Sequence, residues 1–187
     1  GNVAHFFLNN PGKMWVFGKC KIIDENDKEA RKLITAYKNF WLARYHRQTL
    51  LILNYISQPA VFWRKEAFKT IGEFDNSEYY ELDYDYWLRL WQKFDPGYIN
   101  DFIANFRVHQ MAKTSQSVKH FIQEIRVAKK YTKNPVLMFL HYLNYLSIII
   151  GYYVSIDVRG WWLFILSFSL LLFIVYSLIY CFILSFK

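Results

Sequence analysis

Polar and apolar residues follow several distinct patterns along this chain, and the sharpest is helical. In Glu78-Tyr-Tyr-Glu-Leu-Asp-Tyr-Asp-Tyr-Trp-Leu-Arg-Leu-Trp-Gln-Lys93, the residues Tyr84, Trp87, Leu88 and Trp91 recur at i, i+3, i+4 and i+7. That spacing predicts a helix with one buried stripe. Glu81, Asp85, Arg89, Gln92 and Lys93 fall on the opposite arc, where Asp85 and Arg89 make an exposed i,i+4 ion pair. Asp83 falls at the margin of the buried stripe, between Leu90 and Trp87, where a carboxylate needs a reason. It either caps the helix start or does chemistry.

The remaining elements follow from the same reading. Asn2 to Leu8 looks like the end of a helix, stopped by Asn9-Asn-Pro-Gly12. Met14 to Ile23 is rich in β-formers and predicts a strand, and Asp24-Glu-Asn-Asp27 reads as a solvated turn rather than a metal loop. Between Glu29 and Tyr55, Leu33, Ala36, Tyr37 and Phe40 stand at helical spacing and predict a helix, followed by an apolar run from Leu50 to Ile56 that reads as a connection. The alternation from Gln58 to Trp63 predicts a strand with Pro59 near its start. Arg64 to Ile71 reads as one or two helical turns closed by Gly72. Tyr98 to His109 alternates again and puts Ile103, Asn105, Arg107 and His109 on one face.

The C-terminal third changes character. Val118 to Lys133 predicts a basic amphipathic helix, with Phe121, Ile125 and Ala128 opposed by Lys119, Arg126, Lys129 and Lys130. It is expected to lie on an anionic leaflet, on the cytoplasmic side. Residues 136–156 are apolar, but His141, Asn144, Ser147, Gly151 and Ser155 form a polar stripe, suited to facing another helix or the membrane interface. Residues 161–186 carry no charge, and about 26 residues rising ~1.5 Å each exceed a hydrocarbon thickness of about 30 Å. The two segments predict a membrane hairpin turning at Asp157-Val-Arg-Gly160.

Composition agrees with that division. Of 187 residues, 54% are hydrophobic and 21% aromatic, more than an ordinary soluble domain carries. The net charge of +8 comes without any nucleic-acid-binding motif, so a lipid bilayer is the expected partner and nucleic acid is not. Cys20 and Cys181 make no disulfide framework, and no signal-peptide pattern opens the chain at Gly1.

Four motifs in order then carry a resemblance. Ser57-Gln-Pro leads a strand; Arg64, Phe68, Gly72, Phe74 and Asp75 follow; Asp83-Tyr-Asp-Tyr-Trp-Leu-Arg89 opens a helix; and Arg107-Val-His109 ends a strand. Over roughly residues 2–117 the chain resembles family 2 glycosyltransferases of the GT-A type. The resemblance implies an α/β fold, with residues 1–117 as the acceptor-side half of a GT-A domain, 118–134 as a juxtamembrane helix and 135–187 as the membrane region. It implies an inverting enzyme of glycan or polysaccharide assembly that transfers sugar from a nucleotide-sugar donor to a hydroxyl of a glycan or lipid-linked acceptor. By the same resemblance Asp83 is the catalytic base, Gln58 borders the acceptor, and Arg107 and His109 approach the donor diphosphate, His109 being also a candidate metal ligand.

The chain departs from the family's usual Glu-Asp pair, since Leu82 precedes Asp83 and the nearest glutamate is Glu81. The divalent cation that the family uses, Mn2+ or Mg2+, is held by an Asp-x-Asp motif in a nucleotide-binding half that these residues do not include. The letters Asp83-Tyr-Asp85 match it, but on a helix the two side chains diverge. The chain by itself is therefore expected to be inactive, as part of a longer membrane enzyme or a subunit completed by another chain. The alternative is a non-catalytic, membrane-tethered scaffold.

Overall fold

A computed structural model describes residues 1–109 and 117–156. Within them the chain forms an α/β fold built on a three-stranded mixed sheet and seven α-helices. Helix α1 (Asn2–Asn9) precedes strand β1 (Trp15–Ile23), the centre of the sheet, as the β-rich run 14–23 predicts. Helices α2 (Lys32–Leu42) and α3 (Arg47–Ile52) lead to a 3-10 turn at Gln58–Ala60 and the short strand β2 (Val61–Trp63). Helices α4 (Lys65–Ile71) and α5 (Leu82–Lys93) follow, then β3 (Gly97–Arg107), α6 (Ser117–Tyr131) and α7 (Pro135–Ile156).

Strand β1 pairs antiparallel with β2 and parallel with β3. The parallel register slips on either side of Lys19, so extra β3 residues bulge there. Gly18 sits at the bulge because a Cβ would lie 2.6 Å from Ile103 Cδ1. Gly72 ends α4 at φ 84°, a left-handed value that favours glycine. The strand expected from Gln58 begins only at Val61, because Pro59 has no N–H for a sheet ladder and starts a 3-10 turn instead.

The stripe expected on α5 is where burial falls. Tyr84, Trp87 and Leu88 are fully or almost fully buried, and Trp91 packs at the edge of the core. Trp87 stacks on Trp15 of β1 with ring centroids 6.4 Å apart and planes 13° from parallel. Trp15 also donates its indole N–H to the Phe94 carbonyl at 2.8 Å, and Tyr84 donates its hydroxyl to Leu50 O at 2.8 Å.

The opposite arc of α5 corrects the sequence reading. Asp85 is buried, not exposed: its Oδ2 accepts Arg89 Nε–H at 2.8 Å and its Oδ1 accepts the Tyr131 hydroxyl at 2.5 Å. Glu81 is buried as well. Both corrections have one cause, that α6 crosses this side of α5 and shields it from water. Helix α2 forms where the spacing predicts a helix, but Leu33 is 78% and Phe40 38% exposed, while Thr35, Trp41 and Leu42 are buried. Helical spacing finds a stripe there, but tertiary contact chose a different face.

Helix α6 is amphipathic as expected, yet it lies against the α/β core rather than presenting its basic face freely. Val127 and Ala128 join the same core as Trp15 and Trp87. Arg126 pairs with Glu78 at 2.7 Å, and Lys130 with Glu78 at 2.8 Å and Asp75 at 3.3 Å. On α7 the polar stripe also turns inward. His141 Nδ1 donates to Leu51 O at 2.8 Å, Asn144 Oδ1 accepts the Tyr37 hydroxyl at 3.0 Å, and Ser147 donates to Asn144 O at 2.7 Å. These partners satisfy groups that would otherwise be costly to bury. Among the described residues no helix is long and apolar enough to cross a membrane. The expected turn at 157–160 and second membrane segment at 161–186 lie outside the described residues.

Two outcomes follow for stability. Trp87→Ala, which empties the centre of the aromatic core, is expected to cost about 3–5 kcal/mol, read from the shift of a urea unfolding midpoint. Glu78 is held below its ordinary value of 4.5, because the charges and hydrogen bonds of Lys130 and Arg126 outweigh the burial that would raise it. A depressed carboxylate stabilises the fold above its unfolded-state value and loses that contribution as pH falls through the folded one. Glu78→Gln should therefore lower the thermal midpoint at neutral pH, and the gap to wild type should close below about pH 4.5, measured across a pH series.

Candidate functional site

Three of the buried carboxylates among the described residues, Glu78, Glu81 and Asp85, lie in or just before the first turn of α5. Residues 75–81 lead into the helix through a tight loop in which Asp75 Oδ1 accepts the Ser77 backbone N–H at 3.0 Å and the Ser77 hydroxyl at 2.6 Å. The Glu81 N–H then donates to Glu78 O at 2.9 Å, which places Glu81 at the N-cap of α5. Asp83 occupies the first turn. Its Oδ1 accepts the Tyr84 N–H at 2.8 Å, a local bond that fixes the carboxylate, while Oδ2 takes up none of the described hydrogen bonds.

Burial pushes the Asp83 carboxyl above its ordinary range, against the Tyr84 N–H and the charges of Lys38 and His120, which pull it down. Lys38, reaching in from α2, is shifted the opposite way: burial lowers it, and the charges of Asp83, Glu124, Cys20 and Glu81 partly restore it. The opposing shifts have one origin, the loss of water around groups that still see each other's charge. A half-buried carboxylate with one oxygen anchored and the other bonded to none of the described residues, beside a cation, suits proton acceptance from a hydroxyl.

Next to Asp83 stand three further ionisable groups. His120 and Glu124 lie one turn apart on α6, and a Glu81 oxygen presses against His120 Nδ1. Ligand atoms of Glu81, His120 and Glu124 all lie within 4.8 Å of one another. Burial, with the charges of Glu124 and Asp83, pushes Glu81 well above the usual carboxylate range despite the opposing His120. The His120 imidazole is held above its ordinary value, because the surrounding carboxylates outweigh the burial that would lower it. Glu124 Oε1 accepts the Asn54 N–H at 3.1 Å.

The remaining sequence-derived candidates fall elsewhere. Gln58 is exposed at the start of the 3-10 turn. Its neighbour Ser57 lies beside the Cys20 thiol, which burial pushes up. Arg107 is engaged by the turn after β1: it donates to Asp24 O at 2.8 Å and pairs with Asp27 at 2.5 Å. His109 is exposed, just past the end of β3. Among the described residues no hydrogen bond or ion pair joins Arg107 or His109 to the Asp83 cluster. The letters Asp83-Tyr-Asp85 make no cation site, since both Asp85 oxygens are spent on Arg89 and Tyr131. The residues present thus do not fit the Mn2+ or Mg2+ site that the resemblance implies.

Sequence reasoning missed Lys38, His120 and Glu124, and it placed Glu81 on the wrong side of the helix. One signal existed: His120 and Glu124 stand at i,i+4, so both project from one face of α6. Nothing in a linear reading says that this face meets the start of α5. A scan against protein-family models finds no match for the chain, and neither does a search of the curated proteins.

Proposed function

We propose that this chain carries the acceptor side of a membrane-associated, inverting glycosyltransferase in which Asp83 is the base. The observation that carries this reading is the placement of Asp83: anchored by one oxygen at the first turn of α5, half-buried, under the charge of Lys38, and with its second oxygen bonded to none of the described residues. A hydroxyl acceptor delivered to that oxygen loses its proton as it attacks the sugar carbon, and the departing nucleoside diphosphate takes the bonding electrons. The order of the four motifs supports the same reading. The uncharged run 161–186 supports attachment to a bilayer.

In this proposal Asp83 supplies proton removal and Lys38 keeps it ionised in a place where burial works against the charge. The donor's diphosphate is to be held by residues outside the Asp83 cluster, since Arg107 is engaged with Asp24 and Asp27.

Labelled-sugar transfer in membranes from cells expressing the native gene tests the role of Asp83. Asp83→Asn is expected to lower turnover by about a hundredfold to ten-thousandfold with the donor KM little changed. Full turnover by Asp83→Asn, with loss in Glu81→Gln, would transfer the role to Glu81. A second outcome concerns the 187 residues alone. Purified in detergent and titrated calorimetrically with nucleotide sugars and Mn2+, they should bind no donor more tightly than about 100 μM, or about −5.5 kcal/mol. Tighter binding would require a donor site within these residues.

A further inference from the structure

The strongest feature that proton transfer by Asp83 leaves unexplained is the trio beside it. Glu81 is 0% exposed; its Oε1 meets only His120 Nδ1, and among the described residues no hydrogen-bond donor reaches its Oε2. Native proteins rarely leave buried polar atoms unpaired, because each forfeits its hydration without replacement. The close approach of His120 satisfies one oxygen at most and leaves Oε2 buried without a donor. Lys38 feels both carboxylates through space, but none of the described hydrogen bonds runs from it to either.

We propose that Glu81, His120 and Glu124 form a binding site for a divalent first-row transition-metal cation. One imidazole nitrogen and two carboxylate oxygens are the donor set that suits Zn2+ and, more weakly, Mn2+, whereas Mg2+ and Ca2+ favour all-oxygen shells. Bonds of about 2.1 Å place ligand atoms no more than about 4.2 Å apart. The trio, with all its ligand atoms within 4.8 Å, closes to that by small side-chain rotations. The Asn54 N–H holds Glu124 Oε1 at 3.1 Å, an outer contact that orients the carboxylate and leaves Oε2 for the ion. The His120 side chain is 27% exposed, which gives the ion a path from solvent and a water a place in its shell.

A cation here ties α6 to the start of α5 and neutralises carboxylates next to Asp83. It is separate from the diphosphate-bound cation that the family resemblance implies and does not depend on the chain being a transferase, so a failed transfer assay leaves it standing.

The test uses the full 187-residue chain in detergent, stripped with a chelator and titrated with Zn2+, Mn2+ and Mg2+ by calorimetry. One Zn2+ per chain is expected, with a Kd tighter than about 10 μM, Mn2+ at least about tenfold weaker and Mg2+ weakest. Loss of an outer-shell partner costs about 10–100-fold in affinity, so Glu81→Gln and Glu124→Gln should each cost about a hundredfold or more. Asp27→Asn, in the exposed turn, should cost nothing. A gain-of-signal variant covers the case in which the glutamine variants misfold: His120→Cys loaded with Co2+ should show a thiolate-to-cobalt charge-transfer band that Glu124 and Glu81 alone cannot give. The proposal is overturned if Zn2+ binds no more tightly than about 100 μM, if folded Glu81→Gln binds as wild type does, or if the cobalt band is absent.

Discussion

The seating of α5 between the sheet and α6 is the constraint on which the other elements depend. On one side Trp87 stacks on Trp15 and Tyr84 reaches the Leu50 carbonyl, so β1 and α3 are fixed to the helix through its apolar stripe. On the other side Asp85 is held by Arg89 of the same helix and Tyr131 of α6. An aromatic stripe alone would leave the helix free to slide along a greasy surface. The directional bonds at Asp85, Tyr84 and Trp15 remove that freedom, because each is satisfied in one register only.

Burying carboxylates is costly, and the fold offsets the cost in two different ways. Near the loop before α5 the arrangement is conventional: Asp75 and Glu78 meet Lys130 and Arg126, and both acids are held below their ordinary values, Asp75 at about 2 through its bonds to Ser77 and then Lys130. Three residues further on the pattern inverts. Glu81 and Asp83 are raised by burial, and the groups near them are a histidine and a lysine too constrained to neutralise them fully. A stretch of nine residues thus passes from acids that stabilise the fold to acids that strain it. A carboxyl raised by burial opposes the fold at neutral pH, which is what singles out Glu81 and Asp83 as candidate functional groups.

The basic helix shows how the same residues read differently in sequence and in space. Lysine and arginine along one face of α6 resemble a lipid-binding surface. In the fold Arg126 and Lys130 are consumed by Glu78 and Asp75, and the charge left for an outside partner is correspondingly smaller. Likewise the polar stripe of α7, which suits a helix pair in a membrane, is satisfied by Leu51 and Tyr37 of the α/β part.

What the sequence determined by itself is local. The stripe Tyr84, Trp87, Leu88 and Trp91, the strand from Trp15, the stop at Gly72 and the long alternating strand before Arg107 are all legible, because each depends on period and on residues with few backbone options. The position of Asp83 at a margin was legible for the same reason. Only the tertiary structure decided which polar arcs are covered. A helical wheel places Glu81 and Asp85 opposite the core and cannot know that α6, some forty residues later, returns to cover them with His120, Glu124 and Tyr131. Neither could it know that α2 turns Trp41 rather than Leu33 inward. Periodicity assigns each helix an apolar face, whereas burial of charge depends on contacts between distant segments, and those are chosen by the packing of the whole chain.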